Sequence, residues 1–204
     1  MTWRGWCRLG GKYIKQNNKT KGRRSMTTTL AIILLGGTIS KITNDNFDNR
    51  YFPAMLAQTR LSSSNFQIRI NDLFARDSTT FTDEEIVQIS EAILHEQSSG
   101  PTAIVILMGT DGMIKVTNRL EQLLGGNMRV PTVVTGSIIP YRSTSFTDAT
   151  ANFAFAMGVA TSIKTPGIYI CMNGLTLTPE CAEKDYTTLE FRNKCGLIAT
   201  ASAH

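Results

Sequence analysis

Histidine and cysteine are scarce in this chain. Its 204 residues include two histidines, His95 and His204, and four cysteines, at positions 7, 171, 181 and 195. Two imidazoles cannot build a His-rich zinc site, and a Ser-His-Asp triad would have to recruit one of them. A hydrolytic site in this chain is therefore expected to draw its base from lysine or aspartate. No C-x-x-C pair occurs, so no disulfide framework is expected, and a reducing cytosol suits such cysteine usage. Purely apolar runs are short, Leu30–Leu35 being as long as any. A membrane-spanning helix needs roughly 20 such residues. Neither G-x-G-x-x-G nor G-x-x-x-x-G-K-[ST] is present, which leaves no recognisable dinucleotide or nucleotide phosphate loop.

Residues 1–25 lack acidic side chains altogether. They carry eight of the 21 basic residues, and the remainder of the chain sets 13 basic residues against 16 acidic ones. The formal charge of +5 thus belongs to the tail, and the body is mildly acidic. Contact with nucleic acid would rest on the tail alone and would be sequence-independent and salt-sensitive. The tail also lacks the roughly 7–15-residue apolar core of a secretory signal. Residues 1–25 are expected to form a basic, disordered extension, or to precede a natural start at Met26. An Arg-rich transit peptide is the alternative, with Gly10-Gly11 set against its helix.

Residues 26–204 read as one α/β domain. Leu30–Leu35, Ala103–Met108, Val130–Thr135 and Gly167–Met172 are continuous apolar runs of strand length. Phe66, Ile68 and Ile70 alternate with polar residues, as in a half-exposed strand. Between these runs lie helical patterns over Tyr51–Thr59, from Thr82 through Leu94, over Met113–Leu124 and over Asp148–Ala160. Thr82 and Glu85 have the spacing of a capping box. Continuous apolar strands alternating with helices imply a parallel sheet covered on both faces, a three-layer Rossmann-like or flavodoxin-like domain. Ligands of such sheets bind at the carboxyl ends of the strands, where strand order reverses. Here those ends carry Gly36-Gly37-Thr38, Asp77-Ser78, Gly109-Thr110-Asp111 and Thr135-Gly136-Ser137. Two threonines at strand ends are candidate hydroxyl nucleophiles, which need a base to become reactive.

In this order the motifs resemble those of the bacterial-type L-asparaginases. Gly36-Gly37-Thr38-Ile39 is similar to the first signature of that family and Gly109-Thr110-Asp111 to the second. Asp77-Ser78 is similar to the substrate-clamping Asp-Ser. Val133-Val134-Thr135-Gly136-Ser137 with Pro140, Asp148 with Asn152, and Met172-Asn173-Gly174 ahead of Lys184 follow the same pattern. The likeness covers roughly residues 29–192 and is greatest to compact forms with the amino-terminal catalytic domain alone.

The resemblance implies an L-asparagine amidohydrolase with L-glutamine as a possible second substrate. Thr38 matches the nucleophile, and Thr110, Asp111 and Lys184 match the proton relay. Asp77 and Ser78 match the groups that hold the substrate ends, with Gly37 and Gly109 as further substrate-binding positions, and backbone N–H groups near Gly37 and Thr110 match the oxyanion donors. Tyr51 is the candidate for the tyrosine that closes over the substrate. The implied enzyme is a cytoplasmic homo-oligomer without cofactor, metal or membrane contact. Its alternative is a non-catalytic amino-acid-binding protein using the same pocket. Two positions depart from the family pattern: Met108 replaces the usual His and Gly112 the usual Thr. Restoring both is expected to steady the turn and raise turnover. Asp148 reads equally well as a helix-dipole charge, and Cys171 as a core residue.

Overall fold

A computed structural model describes residues 28–43, 46–59, 66–143 and 146–196, together with the backbone of 7–9 and 12–14. The elements in chain order are β1 (Cys7–Leu9), β2 (Lys12–Ile14), β3 (Thr28–Gly36), β4 (Lys41–Thr43), β5 (Asn46–Phe47), α1 (Phe52–Gln58), β6 (Phe66–Arg76), α2 (Asp83–Ser98), β7 (Ala103–Leu107), α3 (Met113–Leu124), β8 (Pro131–Thr135), α4 (Ala149–Ser162), β9 (Gly167–Met172), β10 (Leu175–Leu177), β11 (Ala182–Asp185) and β12 (Glu190–Asn193). Strands β1 and β2 pair antiparallel. The rest of the basic extension lies outside the described residues.

Six strands form the main sheet in the order β10-β9-β8-β7-β3-β6. All neighbours are parallel except β10, which returns antiparallel along β9. The period of two along each strand divides the apolar runs between the two faces. Leu30, Ile32 and Leu34 of β3 join Ala103, Val105 and Leu107 of β7 against Phe52 and Met55 of α1 and Phe153, Ala156 and Met157 of α4. Their alternates Ala31, Ile33, Leu35, Ile104 and Ile106 pack on Ile86, Ile89 and Ile93 of α2 and Val116, Leu120 and Leu124 of α3. This is the three-layer, mostly parallel α/β domain that the run lengths predict.

Helix α2 starts on the expected capping box. The Glu85 N–H donates to Thr82 Oγ1 at 3.3 Å, and the Thr82 N–H donates to Glu85 Oε2 at 2.9 Å. Thr82→Ala is expected to lower stability by about 1 kcal/mol, the usual value of an N-cap. A thermal melt will read this as a fall of roughly 2–4 °C for a domain of this size. Strand β6 is longer than its alternation suggests, running on from Ile70 to Arg76. As an edge strand it buries neither face fully, so polar Asn71 and Asp72 continue it where apolar periodicity has already ended.

The chain leaves β3, crosses to β6 on one side and returns through α2 to β7 on the other. Strand order therefore reverses between β3 and β7, and the crevice expected of such sheets opens there.

Candidate active site at the β3–β7 switch point

Glycine is required at the end of β3. Gly36 and Gly37 have φ of 91° and 81°, in the left-handed region that side chains strain to occupy. A Cβ on Gly36 would stand 2.3 Å from the Arg76 amide nitrogen, and one on Gly37 2.0 Å from that of Gly109. The first turn thus lies backbone to backbone against the second. Thr38 then opens a 3-10 turn over Thr38–Ser40. Ser40 Oγ donates to the Gly37 carbonyl at 3.0 Å and braces it. Thr38 is half-buried, and its hydroxyl has no hydrogen-bond partner among the described residues.

At the end of β7, Thr110 is buried. A Cβ on Gly136 would lie 3.3 Å from Thr110 Cγ2, so the β8 turn packs against the threonine methyl and helps fix its rotamer. Lys184 reaches this turn from β11. Its Nζ donates to Thr110 Oγ1 at 2.8 Å and pairs with Asp111 Oδ1. The lysine side chain is 3% exposed and that of Asp111 55% exposed. A buried ammonium is tolerated only with such partners. The Tyr186 ring, 5.3 Å from Nζ, adds a cation–π contact. Lys184 points inward because it faces Phe191 across the β11–β12 ladder, and that phenylalanine belongs to the core.

The third piece follows β6. Asp77 Oδ1 accepts from Thr79 N at 2.8 Å and from Thr79 Oγ1 at 2.7 Å, capping its own turn. Ser78 Oγ accepts from Gly112 N at 2.9 Å, so Ser78 is wedged against the second turn. Arg76 joins the same junction: its carbonyl accepts from Gly37 N at 2.8 Å, its guanidinium pairs with Glu85, and Nε donates to Thr80 Oγ1 at 3.1 Å.

Three expectations are corrected by these contacts. Tyr51 does not sit in a closing loop. It is 2% exposed, packed on Phe52 and Tyr141 in the α1–α4 core layer. Burial, and then the negative charge of Asp72, push its phenol up, and its hydroxyl has no partner among the described residues. Restoring the family residues is not expected to help either. A Cβ on Gly112 would stand 2.2 Å from the Ser78 carbonyl oxygen; the obstacle is space, since Gly112 has φ −89°. Met108 is fully buried among Ile106, Met113 and their neighbours, where a histidine would lose its solvation. Finally, Cys181 and Cys195 form a disulfide with Cα atoms 5.2 Å apart, which the lack of a C-x-x-C pair did not foretell. Cys171 is the buried free thiol among the described residues, and burial pushes it up to about 11.

Asp148 settles as a structural group. Its Oδ2 and Oδ1 accept from Ile138 N at 3.0 Å and Ile139 N at 2.9 Å, while Asn152 Nδ2 donates to Asp148 Oδ2 at 2.8 Å and to the Gly136 carbonyl at 3.1 Å. The pair pins the turn behind Thr110. Among the described residues no group of three or more His, Cys, Asp or Glu side chains could hold a metal ion, and no helix is long and apolar enough to cross a membrane.

Solved structures share this fold. A probable cytoplasmic L-asparaginase from Campylobacter jejuni matches with a TM-score of 0.70 and 21% identity over 82% of this chain and 53% of its own. L-asparaginase I from Vibrio cholerae matches with 0.69 and 22% over 82% and 51%. The thermostable L-asparaginase from Thermococcus kodakarensis matches with 0.70 and 25% over 81% and 51%. The chain thus spans about half the length of these relatives. No curated protein sequence matches it. Residues 29–190 match the family model described as asparaginase, N-terminal, a span holding both glycine turns, the Asp77-Ser78 turn and Lys184, and the chain accordingly belongs to the asparaginase family.

Proposed function

We propose that this chain is an L-asparagine amidohydrolase releasing aspartate and ammonia, with Thr38 as nucleophile. The observation that carries the reading is the Lys184–Thr110–Asp111 cluster beside the Gly37 turn. Thr110 accepts from the lysine ammonium, so its own hydroxyl proton is free to point toward a ligand. In this reading Thr38 Oγ1 attacks the side-chain amide carbon, and backbone N–H groups near Gly37, Gly109 and Thr110 take up the oxyanion. Donors of that kind contribute roughly 3–4 kcal/mol each. Thr110 gives its proton to the departing nitrogen and is resupplied by Lys184, which takes up in turn the proton that Thr38 loses, so that ammonia leaves and the lysine is an ammonium again. Asp111 holds the lysine in place and its exposed carboxylate edges the mouth, while Asp77 and Ser78 flank the substrate ends. Water then hydrolyses the aspartyl ester on Thr38.

Further parts of the same reading are L-glutamine as a second substrate, no cofactor, and a homo-oligomer that covers the mouth where Asp111 is exposed. A cytoplasmic setting is part of the reading, as the name of the Campylobacter jejuni relative has it for that protein; in a reducing compartment of that kind the Cys181–Cys195 pair would be largely open. An amino-acid-binding protein without turnover is the second reading. The blocked space at Gly112 favours it, because a tightly wedged Ser78 has less freedom to meet a substrate. Coupled ammonia detection over L-asparagine, L-glutamine and short amides, run beside calorimetric titration with aspartate, decides between them. Ammonia from asparagine supports the enzyme; aspartate binding with no ammonia from any amide overturns it.

A further inference from the structure

The hairpin that delivers Lys184 is not part of the main sheet. Strands β11 and β12 form a separate two-stranded ladder, and a two-stranded ribbon is marginal in water without outside support. Its tip is held by local contacts. Asp185 Oδ1 accepts from Thr187 N at 2.7 Å and Thr188 N at 3.2 Å, and Asp185 pairs with Arg192 at the exposed surface, where such pairs contribute little. Toward the body, Phe191 enters the core, and its N–H donates to Asn173 Oδ1 at 3.0 Å. At the open end, Lys194 N donates to the Cys181 carbonyl at 3.0 Å, and there the Cys181–Cys195 disulfide closes the hairpin. Lys184 lies inside the closed loop, three residues from Cys181.

We propose that the Cys181–Cys195 disulfide is a positioning element for Lys184, so that the thiol–disulfide state of this pair decides whether the ammonium stays seated on Thr110 and Asp111. This rests on the role given to Lys184 above. A cross-link at the open end removes the freedom of the two strands to part. Hydrogen-bond distances run to about 3.2 Å, so a parting of the strands by more than about an ångström that the lysine stem does not follow carries the 2.8 Å contact of Nζ with Thr110 out of range. The bond is open to a reductant: Cys195 is exposed and Cys181 half-buried. Cys171 is a poor internal attacker, because burial keeps its thiol protonated up to about pH 11.

The exchange needs a dithiol. One thiolate of the reductant attacks Cys195 Sγ, the Cys181–Cys195 bond breaks, and Cys181 leaves as a thiolate that takes a proton. The second thiolate of the reductant then displaces Cys195 and closes the reductant's own disulfide. Two electrons and two protons pass from the dithiol to the cysteine pair.

The test compares the full chain, oxidised and after dithiothreitol, with a Cys181→Ser, Cys195→Ser double variant. Acetylation of Lys184 is followed by peptide mass spectrometry, ammonia release by a coupled assay, and folding by a thermal melt. Reduction is expected to raise the Lys184 acetylation rate at least about tenfold, as a buried group becomes accessible by local opening. The melt should still show a cooperative body. The kcat for L-asparagine should fall at least about tenfold with KM within about twofold, a loss confined to the reacting groups. Reoxidation should restore both, and the double variant should match the reduced protein and ignore dithiothreitol. Unchanged Lys184 acetylation in a sample whose two thiols are shown to be free overturns the proposal. So does loss of the whole melting transition on reduction, or a double variant that still responds to the dithiol. Acetylation does not depend on turnover, so a protein that releases no ammonia in either state removes the proposed activity while this arm still reads the seating of Lys184.

Discussion

Lys184→Met is expected to lower ammonia release from L-asparagine by at least about a hundredfold, the usual scale for loss of a proton-handling group. The fold should survive the change. Methionine matches the length of the lysine stem, and removing one partner of an ion pair costs most when the charge left behind is buried. The partner left behind, Asp111, is 55% exposed and keeps its hydration. Thr110 loses the donor at 2.8 Å, and with it the group that resupplies its proton in the proposed mechanism. Activity and melting temperature measured on one preparation separate chemistry from folding. Turnover close to that of the natural sequence would remove Lys184 from the mechanism.

Gly37→Ala is expected to damage both stability and activity. Two costs coincide at this position. The φ of 81° strains any L side chain, and the new Cβ would lie 2.0 Å from the Gly109 nitrogen and 2.2 Å from its Cα. Both obstacles are backbone, so the two turns must part. A loss of about 3 kcal/mol or more is expected from strain combined with overpacking. Gly158→Ala is the matched control. It lies in α4 with open space where a Cβ would go, and alanine should stabilise the helix there by about 0.5–1 kcal/mol. Chemical denaturation of both variants checks the contrast. Equal behaviour of the two would mean that the β3 and β7 turns are not locked together.

The parts of this molecule that were legible in its sequence share a physical cause. Leu30–Leu35 and Ala103–Met108 are apolar at every position, a pattern that a strand covered on both faces demands, and the layers follow from it. The capping box at Thr82 and Glu85 is a local device and is written locally. Gly36-Gly37-Thr38 and Gly109-Thr110-Asp111 could be picked out as strand ends, and their likeness to the family motifs pointed to Lys184. What the sequence concealed is non-local. Tyr51 looks polar enough for a lid, and only the packing of Phe52 and Tyr141 around it shows a core residue. Gly112 has an ordinary φ, so its need for glycine depends on Ser78, 34 residues earlier. The Cys181–Cys195 bond depends on a hairpin whose short strands carry too little alternation to be read. Asp185 ahead of Thr187 and Thr188, a side-chain-capped turn between them, was the available signal.

The central claim is that Thr38 performs the attack in a Thr38–Thr110–Lys184 site. Coupled ammonia release from L-asparagine by the natural sequence and by Thr38→Ala, at matched folded concentration, tests it most directly. The account predicts measurable turnover for the former and a fall of at least about a hundredfold for the latter, the usual scale for loss of a nucleophile. Equal ammonia release by the two proteins would contradict it.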